Sequence, residues 1–300
     1  MVFKKYFLET TPPTKALIAL VLGAAAIGFS PIFVRLSHVD PTATAFWRVA
    51  LAMPFFLIWA ARQGGLSDAP KLQKLSDYKW LLVGGALFAI DLAFWHWSLQ
   101  HTTVANATLL SNLAPIVVAL GSVFLFKEHL KGKFWVGLAF AIIGAALLAG
   151  GSIGQDRLFG DGLAVITAFF YGAYLLSVAR LRLKFRTTTV MIWTGWFSAL
   201  FLLPLALATE ARFLPGSMEA WLVVFALAFV CQFLGQGLIV YALAHLPTAF
   251  GAVTLLLQPI VAAGAAWVLF GEILGAYDFA GGLAILTGIV MAKFGTRKGA

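Results

Sequence analysis

The chain is a succession of long apolar segments separated by short polar ones. Glycine, proline and charged residues divide it into ten such segments: 16–36, 41–61, 79–99, 103–126, 134–150, 159–179, 188–208, 220–244, 247–270 and 277–294. A membrane-spanning helix needs about 20 predominantly apolar residues. Ten spans use about 200 of the 300 residues, so the loops must be short and a separate soluble domain does not fit.

The composition excludes several classes of protein. Hydrophobic residues make up 61% of the chain and charged residues 11%, whereas soluble domains average about 45–50% and 25%. A water-soluble enzyme, a disordered chain and a disulfide scaffold are excluded, the last also because Cys231 is the only cysteine. The charged residues are too few to cover a soluble surface, so the net charge of +9 does not indicate nucleic-acid binding. The sequence predicts an all-α integral membrane protein with ten spanning helices.

The first apolar segment follows Lys4, Lys5 and Lys15 and therefore imitates a secretory signal. Its apolar run continues to Val34, beyond the usual length of a signal's hydrophobic region. We expect it to remain in the protein as the first spanning helix.

Lysine and arginine are distributed unevenly between alternate loops. With a cytoplasmic N-terminus, the cytoplasmic segments hold 17 of the 21 Lys and Arg residues, and the opposite side holds Arg35, Arg157 and Arg212. Cytoplasmic loops are generally enriched in these residues. We predict a multi-pass protein of the inner (plasma) membrane with both termini in the cytoplasm, its excess charge facing anionic lipid headgroups.

Two parts of the chain are similar to each other. With an offset of 144 residues, 99–144 aligns with 243–288 without a gap. The identical residues include the Pro-Ile-Val triplets that begin at Pro115 and Pro259, and the Phe-x-Glu-x-Leu motifs that begin at Phe126 and Phe270. The alignment predicts a duplication of a five-helix unit.

Five is an odd number, so the second unit must cross the membrane in the opposite orientation. We predict a first repeat at 1–150, a periplasmic linker at 151–158, an inverted second repeat at 159–295 and a cytoplasmic tail at 296–300. Inverted repeats recur in secondary transporters. Two related bundles in opposite orientations make the outward-open and inward-open states similar in energy.

Three motifs resemble those of a known family: AFWRVALA in the second segment, ANATLLSNLAPIVVAL followed by LFKEHL in the fourth, and GAVTLLLQPIVAAGAAWVLFGEIL in the ninth. They are similar to the ten-helix, EamA-type branch of the drug/metabolite transporter superfamily, which includes aromatic amino-acid and metabolite exporters. The resemblance implies an ATP-independent carrier with a central cavity. The sequence DLAFWHW in the third segment is not a general mark of the family, and no sugar-nucleotide signature is evident.

Two charged residues fall at membrane depth. Arg48 lies about 10 Å and Asp91 about 12 Å from the outer ends of adjacent antiparallel spans, at 1.5 Å per residue. Charges at this depth are costly and often functional. We expect the two side chains to form an ion pair, which either clamps the helices together or faces the substrate.

Polar and aromatic residues at helical spacing define the faces of the predicted cavity. The predicted substrate-binding residues are Asp91, Trp95, His96, Thr108, Asn112, Tyr171, Tyr174, Gln232, Gln236 and Gln258. An acid with aromatic walls suits a cationic amine that bears an apolar side chain. Alternatives remain open. The tryptophan could belong to an interfacial belt, His96 could be a neutral hydrogen-bonding residue or could titrate, and the polar residues could join helices.

Two pairs of residues occupy equivalent positions in the repeats, and together with Arg48 they are assigned structural or gating roles. Pro115 and Pro259 each remove a helix N–H and loosen the carbonyl four residues earlier, which predicts bends that flex during transport or static kinks. Glu128 and Glu272 each follow one helix and precede the next, where a negative charge suits the helix dipole.

The fifth and tenth segments carry small residues four positions apart, which allow close helix packing. They could pack within the bundle or, as the resemblance implies, support a homodimer. The sequence contains no GxxxxGK[ST] motif and no His/Cys cluster. We therefore expect no ATPase activity, cofactor, metal site or catalytic residue. The expected partners are a small-molecule substrate and membrane lipid, not nucleic acid.

The sequence thus predicts an exporter of amino acids or similar small metabolites that works by alternating access. The second interpretation is a proton-coupled antiporter of amphipathic drugs, with Asp91 or His96 as the proton site. An integral-membrane enzyme acting on lipids would need a nucleophile and a base near an interface, and we find no such pair in the sequence.

Overall fold

A computed structural model describes residues 13–64, 75–149, 157–271 and 275–297. In these ranges the chain forms ten helical spans, four of them in two segments and α8 in three. Their bounds are α1 (Pro13–Gly28, Ser30–Leu36), α2 (Pro41–Ala50, Met53–Arg62), α3 (Leu75–His101), α4 (Val104–Ser111, Ala114–Phe126), α5 (Gly132–Leu148), α6 (Leu158–Leu181), α7 (Thr187–Thr209), α8 (Met218–Ala226, Leu227–Gln236, Gly237–Leu243), α9 (Thr248–Thr254, Leu257–Phe270) and α10 (Ala276–Gly295).

The prediction of an all-α membrane protein with ten spans is confirmed. In the described part of the chain, nine spans have at least 18 residues and enough hydropathy to cross a bilayer, and α5 is a tenth apolar helix of 17 residues. At 1.5 Å per residue, α5 is about 26 Å long, close to the thickness of the hydrocarbon core. The apolar side chains exposed on the outside of the bundle, such as Phe124 and Phe294, form the surface that faces lipid.

Helix packing follows the inverted repeat. Helix α1 packs on α8 and α9, and α6 packs in the same way on α3 and α4. Helix α3 packs on α7, and α8 packs in the same way on α2. Three further pairs join equivalent helices: α2 with α7, α4 with α9 and α5 with α10. Each helix of one repeat thus makes the same contacts as its equivalent in the other repeat, where α1 is equivalent to α6, α2 to α7, and so on. The bundle has a pseudo-twofold arrangement, and its interior lies between the two repeats.

A short antiparallel strand pair joins two polar ends on one side of the bundle. Strand β1 (His129–Leu130) follows α4, and β2 (Thr296–Arg297) follows α10. The backbone N–H of Lys131 also donates to the carbonyl of Gly295. The segment predicted as a cytoplasmic tail therefore begins as a strand that is tied to the α4–α5 connection.

The small residues of α5 and α10 pack these two helices against each other within one chain. A Cβ atom at Gly288 would lie 2.4 Å from the carbonyl oxygen of Gly137, and one at Gly144 would lie 2.5 Å from that of Gly281. The helix backbones thus pack too closely for any side chain at these positions, as small residues in membrane helices allow. This stripe of small residues is therefore buried between α5 and α10 of one chain, and the structure does not support a homodimer through these helices.

Four spans are interrupted near mid-membrane, each just before a proline. Helix α1 breaks at Phe29, α2 at residues 51–52, α4 at residues 112–113 and α9 at residues 255–256. The prolines that follow are Pro31, Pro54, Pro115 and Pro259. Proline cannot donate to the carbonyl four residues earlier, which explains why regular hydrogen bonding stops there. The structure thus places breaks at the predicted bends of α4 and α9, while their flexing stays a prediction.

Candidate functional site: a charged cavity between the repeats

Residues of the four interrupted spans, α1, α2, α4 and α9, line a central cavity together with residues of α3, α6 and α8. Both repeats line it. The lining residues are Ile27, Gly28, Ser30, Pro31, Arg48, Phe88, Asp91, Leu92, Trp95, Thr108, Ser111, Asn112, Thr167, Tyr171, Gln236, Gln258 and Ala262.

Arg48 enters the cavity from the first segment of α2 and is held from behind. Its Nε donates to Oε1 of Gln232 at 3.1 Å, and its Nη1 donates to Oγ of Ser30 at 3.0 Å. The side chain is only 4% exposed. These two bonds fix the plane of the guanidinium, which is the only cationic group among the described residues that line the cavity.

Asp91 lines the same cavity from α3 and is 5% exposed. Within the described ranges, the ion pairs are Lys184–Asp77 and Arg212–Asp40; Arg48 and Asp91 do not form one. The expected direct ion pair is therefore not made, and the hydrogen bonds of Arg48 go to Ser30 and Gln232 instead. The two opposite charges interact across the cavity without touching.

Most of the predicted substrate-binding residues line the cavity, and three do not. Those that do are Asp91, Trp95, Thr108, Asn112, Tyr171, Gln236 and Gln258. His96 lies five residues after Asp91 and is therefore turned about 140° around the helix axis; its Nδ1 lies 2.7 Å from the carbonyl oxygen of Leu92. Tyr174 is fully buried behind the lining, where it stacks on Phe88 at 4.5 Å.

Gln232, the third residue that does not line the cavity, supports the lining. It is fully buried and accepts the hydrogen bond of Arg48. It lies with Gln236 on the middle segment of α8, Leu227–Gln236, which is a π-helix of ten residues. π-Helical turns are rare and often occur at functional sites. This segment brings one glutamine behind Arg48 and the other into the cavity wall.

Several lining residues were missed by the sequence analysis. Helix α1 contributes Ile27, Gly28, Ser30 and Pro31, although the one charged residue of the first apolar segment, Arg35, lies near its C-terminal end. The one available signal was a serine directly before a proline at mid-membrane. Leu92 and Ala262 were missed as well, whereas Phe88, Ser111 and Thr167 have the helical spacing of the predicted cavity faces of α3, α4 and α6 and do line the cavity.

The cavity adjoins a wider vestibule at one end of the bundle. Pro31, Thr108 and Ala262 line both spaces. The vestibule continues between the α1–α2 and α3–α4 connections, and its walls include Pro259 and Asp278. The described structure is open at this end of the bundle.

Glutamate side chains tie helices together at both ends of the bundle. At the opposite end from the vestibule, the carboxylate of Glu128 accepts hydrogen bonds from the backbone N–H groups of Thr248 (2.6 Å) and Ala249 (3.1 Å), at the start of α9. At the vestibule end, Glu210 accepts from Thr42 and Ala43 at the start of α2. Each carboxylate satisfies free N–H groups and the positive end of a helix dipole.

The sequence analysis predicted a role for Glu128 but not for Glu210. Glu128 has the predicted position between helices, and it joins α4 to α9. Glu210 was not predicted, because its target in α2 is far away in sequence. Glu272, the equivalent of Glu128 in the second repeat, lies outside the described residues.

A buried, charged cavity between inverted repeats, bordered by interrupted helices, defines the fold of a membrane transporter. Comparison with known proteins assigns the family. The model of the EamA-like transporter family matches residues 14–150 and 158–294. The chain therefore belongs to the EamA-like transporter family, and the resemblance noted from its motifs is confirmed.

Similar proteins include transporters from bacteria and archaea. An uncharacterized transporter of Archaeoglobus fulgidus is 27% identical over 93% of this chain and 96% of its own length. A probable amino-acid metabolite efflux pump of Salmonella typhimurium is 27% identical over 94% and 95%. The pseudopaline exporter CntI of Pseudomonas aeruginosa is 23% identical over 73% and 76%.

The fold is also found among solved structures. A crystal structure with a TM-score of 0.80 covers 94% of this chain and 97% of its own, at 16% sequence identity. At this identity the match supports the fold and not the substrate.

Proposed function

We propose that the protein exports amino acids or similar small metabolites across the inner membrane by alternating access through the central cavity. One observation carries the proposal: Arg48 and Asp91, of opposite charge, line one buried cavity between the two repeats, and neither forms an ion pair within the described residues. Buried charges that lack a contacting opposite charge are costly. A substrate that carries charge would compensate them. The names of the Salmonella and Pseudomonas relatives agree with export of small metabolites.

The orientation and the gates are part of this proposal. We assign the vestibule to the periplasmic side and both termini to the cytoplasm, on the basis of the Lys and Arg distribution. Glu128 would then hold α4 against α9 at the cytoplasmic end. Opening toward the cytoplasm would require these bonds to break, and the breaks before Pro115 and Pro259 would let the outer and inner halves of α4 and α9 move separately.

One observation favours the second interpretation, which is a proton-coupled antiporter of amphipathic drugs. No described residue donates a hydrogen bond to the carboxylate of Asp91, which shares its cavity with Phe88, Trp95 and Tyr171. Such a carboxylate could exchange a proton for a cation.

Transport by reconstituted protein separates these functions. Proteoliposomes preloaded with a panel of unlabelled amino acids are expected to take up radiolabelled leucine or phenylalanine by exchange, well above protein-free vesicles and above vesicles with Asp91→Asn. Exchange without a pH gradient agrees with the amino-acid carrier. Amino-acid transport that is absent under every gradient, together with ethidium uptake that depends on a pH gradient, would replace it by the drug antiporter.

A further inference from the structure

We infer that the cavity recognises a zwitterion with an apolar side chain, whose carboxylate binds at Arg48 and whose ammonium binds at Asp91. This inference rests on the proposed function and names its substrate class. It follows from the charges, the free hydrogen-bonding groups and the walls of one cavity.

The cationic subsite has an unused donor edge. Ser30 and Gln232 accept hydrogen bonds from Nη1 and Nε of Arg48, and in the described part of the chain nothing accepts one from Nη2. A guanidinium binds a carboxylate through two parallel N–H donors. Ser30 and Gln232 already fix the guanidinium plane. Binding of a ligand therefore does not have to immobilise the arginine side chain, which lowers the entropic cost of binding.

The carboxylate of Asp91 forms the anionic subsite and is likewise available to a ligand. Asp91 lies in the cavity wall, 5% exposed, and is bonded to no donor in the described ranges. A ligand with a single charge would compensate one of the two residues and leave the other buried alone. A ligand with both charges compensates both, so the pair selects a zwitterion over an amine or an acid.

Unpartnered polar atoms lie around the two charges. The amide nitrogens of Gln236 and Gln258 and the hydroxyls of Thr108 and Thr167 are buried and have no hydrogen-bond partner among the described residues, and all four residues line the cavity. Leaving buried polar groups unpaired costs free energy. Donors from both repeats therefore surround the space in which a carboxylate or ammonium group would lie.

The rest of the wall sets the side-chain preference. Phe88, Leu92, Trp95, Tyr171 and Ile27 provide aromatic and aliphatic surface. Arg48 and Asp91 are the only charged residues of the lining in the described part of the chain, so a third charge on the ligand would have no partner there. The cavity therefore favours amino acids with apolar or aromatic side chains over lysine or glutamate.

Competition by analogues of one amino acid tests this inference. Uptake of radiolabelled phenylalanine into proteoliposomes is measured with unlabelled phenylalanine, phenethylamine (no carboxylate), 3-phenylpropionate (no ammonium), lysine or glutamate as competitors. We expect unlabelled phenylalanine to compete at concentrations about tenfold or more below those of every other compound, because each lost charge removes a buried, charge-assisted bond. Equal competition by phenethylamine or 3-phenylpropionate would overturn the inference.

Variants assign each charge to its subsite. In Asp91→Asn, phenylalanine and 3-phenylpropionate should compete at nearly equal concentrations, because the ammonium has lost its partner. In Arg48→Lys, the preference for phenylalanine over phenethylamine should fall, because lysine keeps the charge but not the two parallel donors. Asp77→Asn makes the same chemical change outside the cavity, where Asp77 pairs with Lys184, and should keep both preferences. Ligand-induced thermal stabilisation of purified protein gives the same ratios if a variant binds without transporting.

The outcomes separate this inference from the proposed function. Phenylalanine transport with unchanged preferences in both variants would contradict the two subsites and keep the exporter. Absence of binding and transport for every amino acid tested would contradict the exporter itself.

Discussion

Replacing Arg48 by glutamine is expected to abolish transport and to destabilise the protein. The substitution removes the donors that Ser30 and Gln232 accept and leaves Asp91 without an opposite charge in the cavity. Removing one member of a buried charged set costs about 3–5 kcal/mol. The unfolding midpoint of the purified protein and the amount of monodisperse protein should both fall clearly.

The double variant Arg48→Gln/Asp91→Asn tests whether the two charges are coupled. Because it removes both charges, it should be more stable than Arg48→Gln alone, although it should not transport. Residues that do not interact give additive losses in such a cycle. A double variant as unstable as the sum of the single variants would show that the charges do not act on each other across the cavity, and would leave Arg48 as a purely structural residue.

The second large effect is expected outside the cavity, where α5 meets α10. A Cβ atom at Gly288 would lie 2.4 Å from the carbonyl oxygen of Gly137 and 2.7 Å from the backbone nitrogen of Ala141. Backbone atoms cannot move aside as a flexible side chain can. Gly288→Val should therefore force the helices apart at a cost of about 3 kcal/mol and lower the unfolding midpoint by about 6–12 °C.

Gly282→Val is the matched control on the same helix. A Cβ atom at Gly282 would have no neighbour within 4 Å, so the change adds the same side chain in open space. Its unfolding midpoint should stay within a few degrees of the original. Equal midpoints for the two variants would mean that α5 and α10 do not pack as closely as described. A stable Gly288→Val protein that has lost only an oligomeric state would instead place this stripe in an interface between copies.

The features that the sequence predicted well depend on residues close together in the chain. Apolar segments about 20 residues long define the spans, and the offset of 144 residues defines the repeat. Asp91 was identifiable because a carboxylate at membrane depth is costly wherever its helix lies. These properties do not require knowledge of which helices touch.

The features that the sequence predicted poorly depend on which neighbour each helix face meets. His96 and Asp91 belong to the same apolar segment, but only Asp91 faces the cavity. Arg48 was expected to pair with Asp91 because their depths match, yet its hydrogen-bond partners come from α1 and α8. The π-helical turns that place Gln232 behind Arg48 change the register of α8 in a way that no hydropathy pattern indicates.

The central claim is that one cavity between the repeats binds substrate and is reached in turn from both sides of the membrane. Its most direct test is the labelling of Ala262→Cys in a Cys231→Ala background by a membrane-impermeant thiol reagent. Ala262 lines both the cavity and the vestibule. Gly216→Cys, in the exposed α7–α8 connection, is the control for a site on one side.

We expect Ala262→Cys to be labelled from the outside and, more slowly, from the cytoplasmic side of inverted vesicles. Transported amino acid should slow the labelling, and Glu128→Gln should speed the cytoplasmic reaction because it removes the carboxylate charge that ties α4 to the start of α9. Gly216→Cys should be labelled from outside alone, with no effect of substrate. Labelling of Ala262→Cys from one side only, or at a rate that a transported amino acid does not change, would contradict the account.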